Sequence, residues 1–278
     1  VIYGADASRA VGVATSLLSP EMKPEFIKGY REEYAKVRER IANKQPKAAK
    51  LSYLESIANG VKIDWTNYVP PKPNVLGQHI LKNYPLATLV PYFDWTPFFI
   101  SWSLAGKFPA ILTDDVVGEA ATDLYEQAQI MLKDIVENNR FDARAVFSLA
   151  PAKRTDADTV SIYDENQSVT HKFEHTRQQS DKVSKKPNFS LADFIAPEET
   201  NLDDYLGGFT VSIFGAEEMA HEYKAKGDDY SAILAQSLGD RFAEAFAEHL
   251  HERIRKEFWG YQAAEQLSNE DLIKEKYV

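Results

Sequence analysis

The chain contains no cysteine, which excludes disulfides and thiolate metal sites within it. It has no uninterrupted run of about 18 apolar residues, so no membrane-spanning helix is indicated. Its first residues lack the charged-then-apolar pattern of a signal peptide, and the lack of cysteine is compatible with a cytoplasmic protein. Basic residues are the minority: 32 Lys and Arg stand against 42 Asp and Glu, a formal net charge of −10. That balance argues against generic nucleic-acid binding, which needs clustered cations. The P-loop, the nucleophile elbow and the glycine-rich dinucleotide fingerprint are all missing. Gly207-Gly208 alone reads as flexibility at the start of a strand. His249 and His251 are two apart, so on a helix they point in different directions and cannot chelate a metal. What remains is ample apolar material: 44% of 278 residues are hydrophobic, enough for a substantial core.

Periodicity changes along the chain. Residues 1–18 read as an extended linker leading into the domain. Ser19-Pro20 starts a helix in which Met22, Phe26, Tyr30, Tyr34, Val37 and Ile41 recur at helical spacing. The same stretch is locally basic, from Lys23 to Lys50. A solvated helix face explains it, and a docking face for an acidic partner is the alternative. Residues 44–50 are a Pro-containing breaker, and residues 51–91, with Pro70-Pro71, Pro73 and Gly77, read as loops with short elements. A second helix is predicted from about Thr113, with Val117, Ala121, Leu124, Ala128, Met131 and Ile135 on one side.

Strand signals cluster in the middle. The run from Ala145 to Ala150, a turn over 153–158, and the alternation at Val160 and Ile162 predict an antiparallel hairpin, which Val169 to Phe173 extends. Residues 207–214 read as another strand. The last long element is a helix from about Asp228 to Phe258, with Ile233, Leu238, Phe242, Ala245, Phe246 and Ile254 available to a core. Strands clustered between helical ends point to an α+β fold rather than alternating βαβ units.

The densest aromatic stretch is residues 94–109, with two Trp and three Phe. Thr96 suits a helix cap, Pro97 the first turn and Gly106 the stop, which puts Asp94 just outside a helix N-terminus, near the positive end of its dipole. Taken alone, this is a capped core helix.

The segment closely resembles the activation domain of cobalamin-dependent methionine synthase. Residues 6–11 (Asp-Ala-Ser-Arg-Ala-Val), 189–197 (Phe-Ser-Leu-Ala-Asp-Phe-Ile-Ala-Pro), 241–256 followed by Trp259-Gly260-Tyr261, and 267–273 (Leu-Ser-Asn-Glu-Asp-Leu-Ile) resemble family segments in the same order. The resemblance implies one C-shaped α+β domain over 1–278, built round a twisted antiparallel sheet with a long C-terminal helix. It implies S-adenosylmethionine as ligand, with Asp94 and Glu244 among the residues that hold it, and no general acid or base of its own. Lys107 and Glu275 are implied to lie towards the cobalamin-binding domain of the same polypeptide. The implied activity belongs to a methyltransferase: reductive methylation of inactive cob(II)alamin to methylcobalamin, with an electron from a flavodoxin-type donor. The cobalamin itself is assigned to the neighbouring domain, because the Asp-x-His-x-x-Gly pattern of that domain is missing here.

The family continues with an Arg-Pro-x-Pro-Gly-Tyr-Pro stretch that the chain does not reach, so the sequence reads as a fragment of a longer polypeptide. This leaves a second reading open, a non-catalytic docking module with an incomplete ligand site. An independent small-molecule methyltransferase ranks below both. Without the family, Asp94 is a capping acid, Lys107 a surface lysine, and Glu244, Glu248, His251 and Arg255 a charged stripe on an exposed helix face.

Overall fold

A computed structural model describes residues 7–43, 50–164, 166–182, 186–274 and 276–277. They form two compact units, the smaller drawn from Val1–Asn59 and Gln178–Asn188, the larger from Gly60–Arg177 and Phe189–Val278.

In the smaller unit, helix α1 (Ala7–Leu18) runs where an extended linker was predicted. Its alanines and leucines favour helix. Helix α2 (Lys23–Ala42) starts four residues after Ser19, with Pro24 in its first turn, and lies against α1. The predicted breaker falls on residues 44–49, outside those described, and on Lys50. Helix α3 (Tyr53–Ala58) begins at a capping box, in which the Ser52 hydroxyl accepts from Glu55 N and the Glu55 carboxylate accepts from Ser52 N. Asn188 N donates to the Asn59 carbonyl and Asn59 Nδ2 to Asn188 Oδ1, closing the unit across a long sequence gap.

The larger unit is α+β, as predicted. Strand β1 (Gly77–Tyr84) occupies part of the predicted loop region; its polar residues hide the period of two. Helix α4 (Trp95–Ser101) and helix α5 (Gly118–Glu137) follow, α5 starting about one turn later than predicted. Asp114 Oδ1 accepts from Val116 N and Val117 N, which holds residues 114–117 in a turn ahead of the helix. Strands β2 (Asp142–Arg154), β3 (Thr159–Tyr163) and β4 (Val169–Glu174) form the predicted antiparallel array. Strand β5 (Asp204–Phe214) pairs antiparallel with β2 along its length, and β1 pairs with the other edge of β2. On β2, Ala143, Ala145, Phe147 and Leu149 are buried and alternate with less buried neighbours, the two-residue period of a strand with one covered face.

Helix α6 (Ala216–Ala225) leads into α7 (Asp229–Arg253), which continues as a π-helical turn over Ile254–Phe258. The predicted long helix is therefore present to Phe258, with a wider final turn. A short helix α8 (Asn269–Ile273) follows. Helix α7 contacts α4, α5, α6 and β5, and its Leu238, Phe242, Ala245, Phe246 and Ile254 enter the core as predicted. Ile233 does not; it is 49% exposed, because the core contacts of that turn are made by Ala232 and Leu234. Each large side chain fully buried here, such as Phe98, Phe99 or Phe242, contributes about 1.5–3 kcal/mol by leaving water. Gly207 has a packing role rather than the flexibility assigned from sequence. A Cβ there would stand 2.6 Å from Leu149 Cδ2 on the paired strand.

Candidate functional site

Asp94 is itself the N-cap of α4. Its Oδ1 accepts from Thr96 N at 2.9 Å, so the cap lies two residues before the predicted one. Asp is a stronger cap than Thr, and Thr96 lies inside the first turn with its amide donating to Asp94. Among the described residues, no hydrogen bond reaches the other carboxylate oxygen of Asp94, which is half-buried beside the helix N-terminus. The helix stops at Ser101 with Trp102 as C-cap, and Ser103 follows in the left-handed region at φ 62°. Gly106 serves elsewhere: a Cβ on it would meet Ile111 Cγ1 at 2.8 Å.

Thr96 joins two of the predicted residues. Its amide binds Asp94, and its hydroxyl accepts from Phe108 N at 3.2 Å, which ties the exposed Lys107 loop back to the start of α4. Ile111 N donates to the Lys107 carbonyl at 2.8 Å and fixes the other side of that loop. The sequence signal for this link is a Thr two residues after an Asp cap, a position at which Thr also resembles a cap.

The aromatic cluster fixes α4 against α7. Phe93 and Phe242 meet edge to face at 4.8 Å, and Trp95 meets Phe98 and Tyr125 at 5.3 and 5.0 Å. Asp94 thus follows directly on a residue that touches α7, and Glu244 stands two residues beyond the contact on α7. Glu244 faces outward with its side chain 73% exposed, 3.8 Å from Arg241 Nη2. With Asp240, Arg241, Ala243 and Ala247 it lines an open depression of about 440 Å3. The two carboxylates are not hydrogen-bonded to each other among the described residues. Glu275 lies outside the described residues.

The stripe read as one exposed charged face is not uniform. Glu244 is exposed, but Arg255, eleven residues on, is completely buried. Arg255 Nε and Nη2 donate to both oxygens of Glu265 at 2.9 and 2.7 Å, and the Tyr277 ring lies 4.4 Å from the guanidinium carbon. His251 meets the same Tyr277 ring edge-on at 4.8 Å. Residues after the helix cover the C-terminal end of the stripe, and helical spacing carries no information about that cover. The π turn is clasped from residues 71–75. Trp259 Nε1 donates to the Pro71 carbonyl at 2.7 Å, Asn74 Nδ2 to the Glu257 carbonyl at 2.8 Å, and Asn74 N to the Trp259 carbonyl at 3.2 Å.

A polar network lies along α7 as well. His249 Nε2 and the Tyr84 hydroxyl are 2.8 Å apart, and the Tyr92 hydroxyl donates to Glu252 Oε2 at 2.5 Å. Burial, and then the nearby Arg253 charge, push the His249 imidazole below its ordinary value. Burial and the Glu252 hydrogen bond push the Tyr92 hydroxyl up.

The family pattern of the vitamin B12 dependent methionine synthase activation domain matches residues 85–278. The chain is also similar to the protein in the crystal structure of the MetH reactivation domain bound to AdoHcy. Identity is 42%, with a TM-score of 0.78, over 82% of this chain and 70% of that one. Pattern and structure converge on one assignment: the chain belongs to the activation-domain family of vitamin B12-dependent methionine synthase.

Proposed function

We propose that this chain binds S-adenosylmethionine at the junction of α4 and α7, using Asp94 and Glu244. It acts over residues 1–278 as one reactivation domain, with 1–18 as its linker. The observation that carries the reading is the Asp94 carboxylate: one oxygen is spent on the Thr96 amide, and the other receives no hydrogen bond from the described residues. A half-buried carboxylate with an unused oxygen suits an ammonium group, through a charge-assisted hydrogen bond. The similar protein binds AdoHcy, whose amino-acid end carries that ammonium. Glu244 adds a second negative group, and its exposure leaves it open to a ligand on the α7 surface.

The ligand supplies a methyl group on a sulfonium, already an excellent leaving group. The residues here therefore need to hold and orient rather than donate or remove a proton. Lys107 stands exposed on a loop tied to the same helix start, and we assign it, with Glu275, to docking against the cobalamin-binding domain of the same polypeptide. In that arrangement the reaction is reductive methylation of inactive cobalamin, with the electron from a flavodoxin-type donor and a cytoplasmic setting. Repositioning of whole domains is required, since the cobalamin cannot face all its partners at once.

Calorimetric titration with S-adenosylmethionine tests the assignment. It is run on the chain and on a version carrying the family's Arg-Pro-x-Pro-Gly-Tyr-Pro segment after Val278. Asp94→Asn is expected to weaken binding by about 10-fold or more while leaving the thermal midpoint in place. Unchanged affinity would remove Asp94 from the site. No binding by either folded version would favour the docking module instead.

A further inference from the structure

The sheet has a gap. Along one edge of β2, pairing with β1 ends at Gly77↔Leu149, and pairing with β3 resumes only at Ala152↔Ile162. Ala150 and Pro151 have no strand partner on that edge, although β5 continues to pair with them from the other side, at Leu206 and Tyr205. Pro151 brings no N–H, so this stretch leaves one fewer donor in need of a partner. A cavity of about 470 Å3 opens at the notch, within the size range of small-molecule sites.

The lining has two parts. Leu76, which is partly exposed, and Pro151 give it apolar surface. Around it stand Lys72, Lys153, Asp164 and Asp203, charges of both signs. Their availability differs. Asp164 Oδ1 accepts from Asn166 N and Ser168 N, which leaves its second oxygen. Lys72, Lys153 and Asp203 form no ion pair among the described residues. Asp204, also on the wall, is buried and fully engaged: its oxygens accept from Ala196 N and Tyr205 N. Opposite charges that surround one apolar-floored cavity without neutralising each other are arranged for a ligand that carries both charges itself.

We propose that this notch binds a small zwitterion of the α-amino-acid class with an unbranched aliphatic side chain. The carboxylate is placed towards Lys153 and Lys72, the ammonium towards Asp203 and the second oxygen of Asp164, and the side chain over Leu76 and Pro151. The site is built from β2, β3, β5 and the segment leading into β1, whereas Asp94 and Glu244 belong to α4 and α7. The two assignments therefore stand or fall separately.

The test is a titration of the 15N-labelled chain with L-norleucine, followed by amide shifts. Hexanoate and pentylamine serve as ligands carrying only one of the two charges. Saturable shifts are expected at the amides of Ala150, Ala152 and Lys153 and of residues 203–205. Each single-charge analogue is expected to bind at least about 10-fold more weakly. Lys153→Met and Asp203→Asn should each lower norleucine affinity by about the same factor, with unaltered thermal midpoints, while Asp94→Asn leaves it unchanged. Hexanoate binding as tightly as norleucine would reduce the notch to a simple anion site and overturn the proposal. So would saturable shifts centred on Asp94 and Glu244, or no saturable shift at all in the folded chain.

Discussion

Helices α2 and α7 carry the same kind of sequence pattern and reach opposite ends. Both are long, and both repeat apolar residues at three- and four-residue steps, the mark of a helix with one apolar face. Helix α7 buries ten residues, among them Phe242, Phe246 and Leu250. Helix α2 buries none; Phe26, Tyr30 and Tyr34 instead form an edge-to-face ladder along its own surface, at 5.0 and 5.8 Å. Met22 and Ile41 at its ends are 53% and 62% exposed. Periodicity identifies which face of a helix is apolar, but what covers that face is decided by the rest of the chain.

Substitutions sharpen the contrast. Phe242→Ala on α7 should cost about 3–5 kcal/mol in urea denaturation, because the ring is fully buried against Phe93 and Phe141. A loss as small as that at an exposed position would break the comparison. Glu265→Ala should cost about 3 kcal/mol or more, since it strands the Arg255 guanidinium without a counter-charge in the most buried part of the α7 end. Restoring stability by the further change Arg255→Met would confirm that the stranded charge, rather than lost packing, is responsible.

A pH ramp gives a smaller, signed effect. His249 has its folded pKa depressed below the unfolded value of about 6.5. The folded state therefore binds fewer protons, and stability is full above pH 6.5 and declines as pH falls through that value towards the folded pKa. His251 is shifted in the same direction, by burial first and the Arg255 charge second. His249→Gln should remove part of the acid-side slope and leave the His251 part. An unchanged slope would show that the buried imidazole is not what titrates. The smallest effect belongs to α2: Tyr30→Ala should cost no more than about 1 kcal/mol, the worth of its aromatic contacts. A loss equal to that of Phe242→Ala would mean that α2 is as firmly packed as α7.

The parts of the fold that were legible are those whose local pattern coincides with their final packing. The β2–β3 hairpin, α5 and the core face of α7 follow from periodicity because one side of each is covered by the same unit, whereas β4 is exposed along its length and is legible only from its strand-forming residues beside β3. Strand β1 is not evident in the sequence because His79, Lys82 and Asn83 mask its alternation, and its pairing with β2 is made across a long sequence gap, from Gly77↔Leu149 to Tyr84↔Ala143. Helix α1 replaces the expected extended linker because residues 7–18 are rich in the helix formers Ala and Leu.

For the candidate site, Asp94 and its helix were readable as local grammar, with the cap displaced by two residues. The Thr96–Phe108 hydrogen bond that links Asp94 to the Lys107 loop spans twelve residues and left only a faint sequence mark. The Arg255–Glu265 pair was invisible for a similar reason. Its two partners are separated by a π turn and a bend, and nothing in either residue alone distinguishes a buried charge from a solvated one.

That π turn sets a constraint of a different kind on residues 254–258. A wider turn holds one residue more than an α-helical turn, so side chains beyond it are displaced by about 100° in phase. Trp259 meets Pro71, and its carbonyl meets Asn74, only at that shifted phase. Shortening the segment by a single residue would return the helix to regular winding and carry Trp259 away from both partners, even if every remaining side chain were kept. In this stretch the number of residues is a structural requirement in its own right, and length variation should be tolerated far less than substitution.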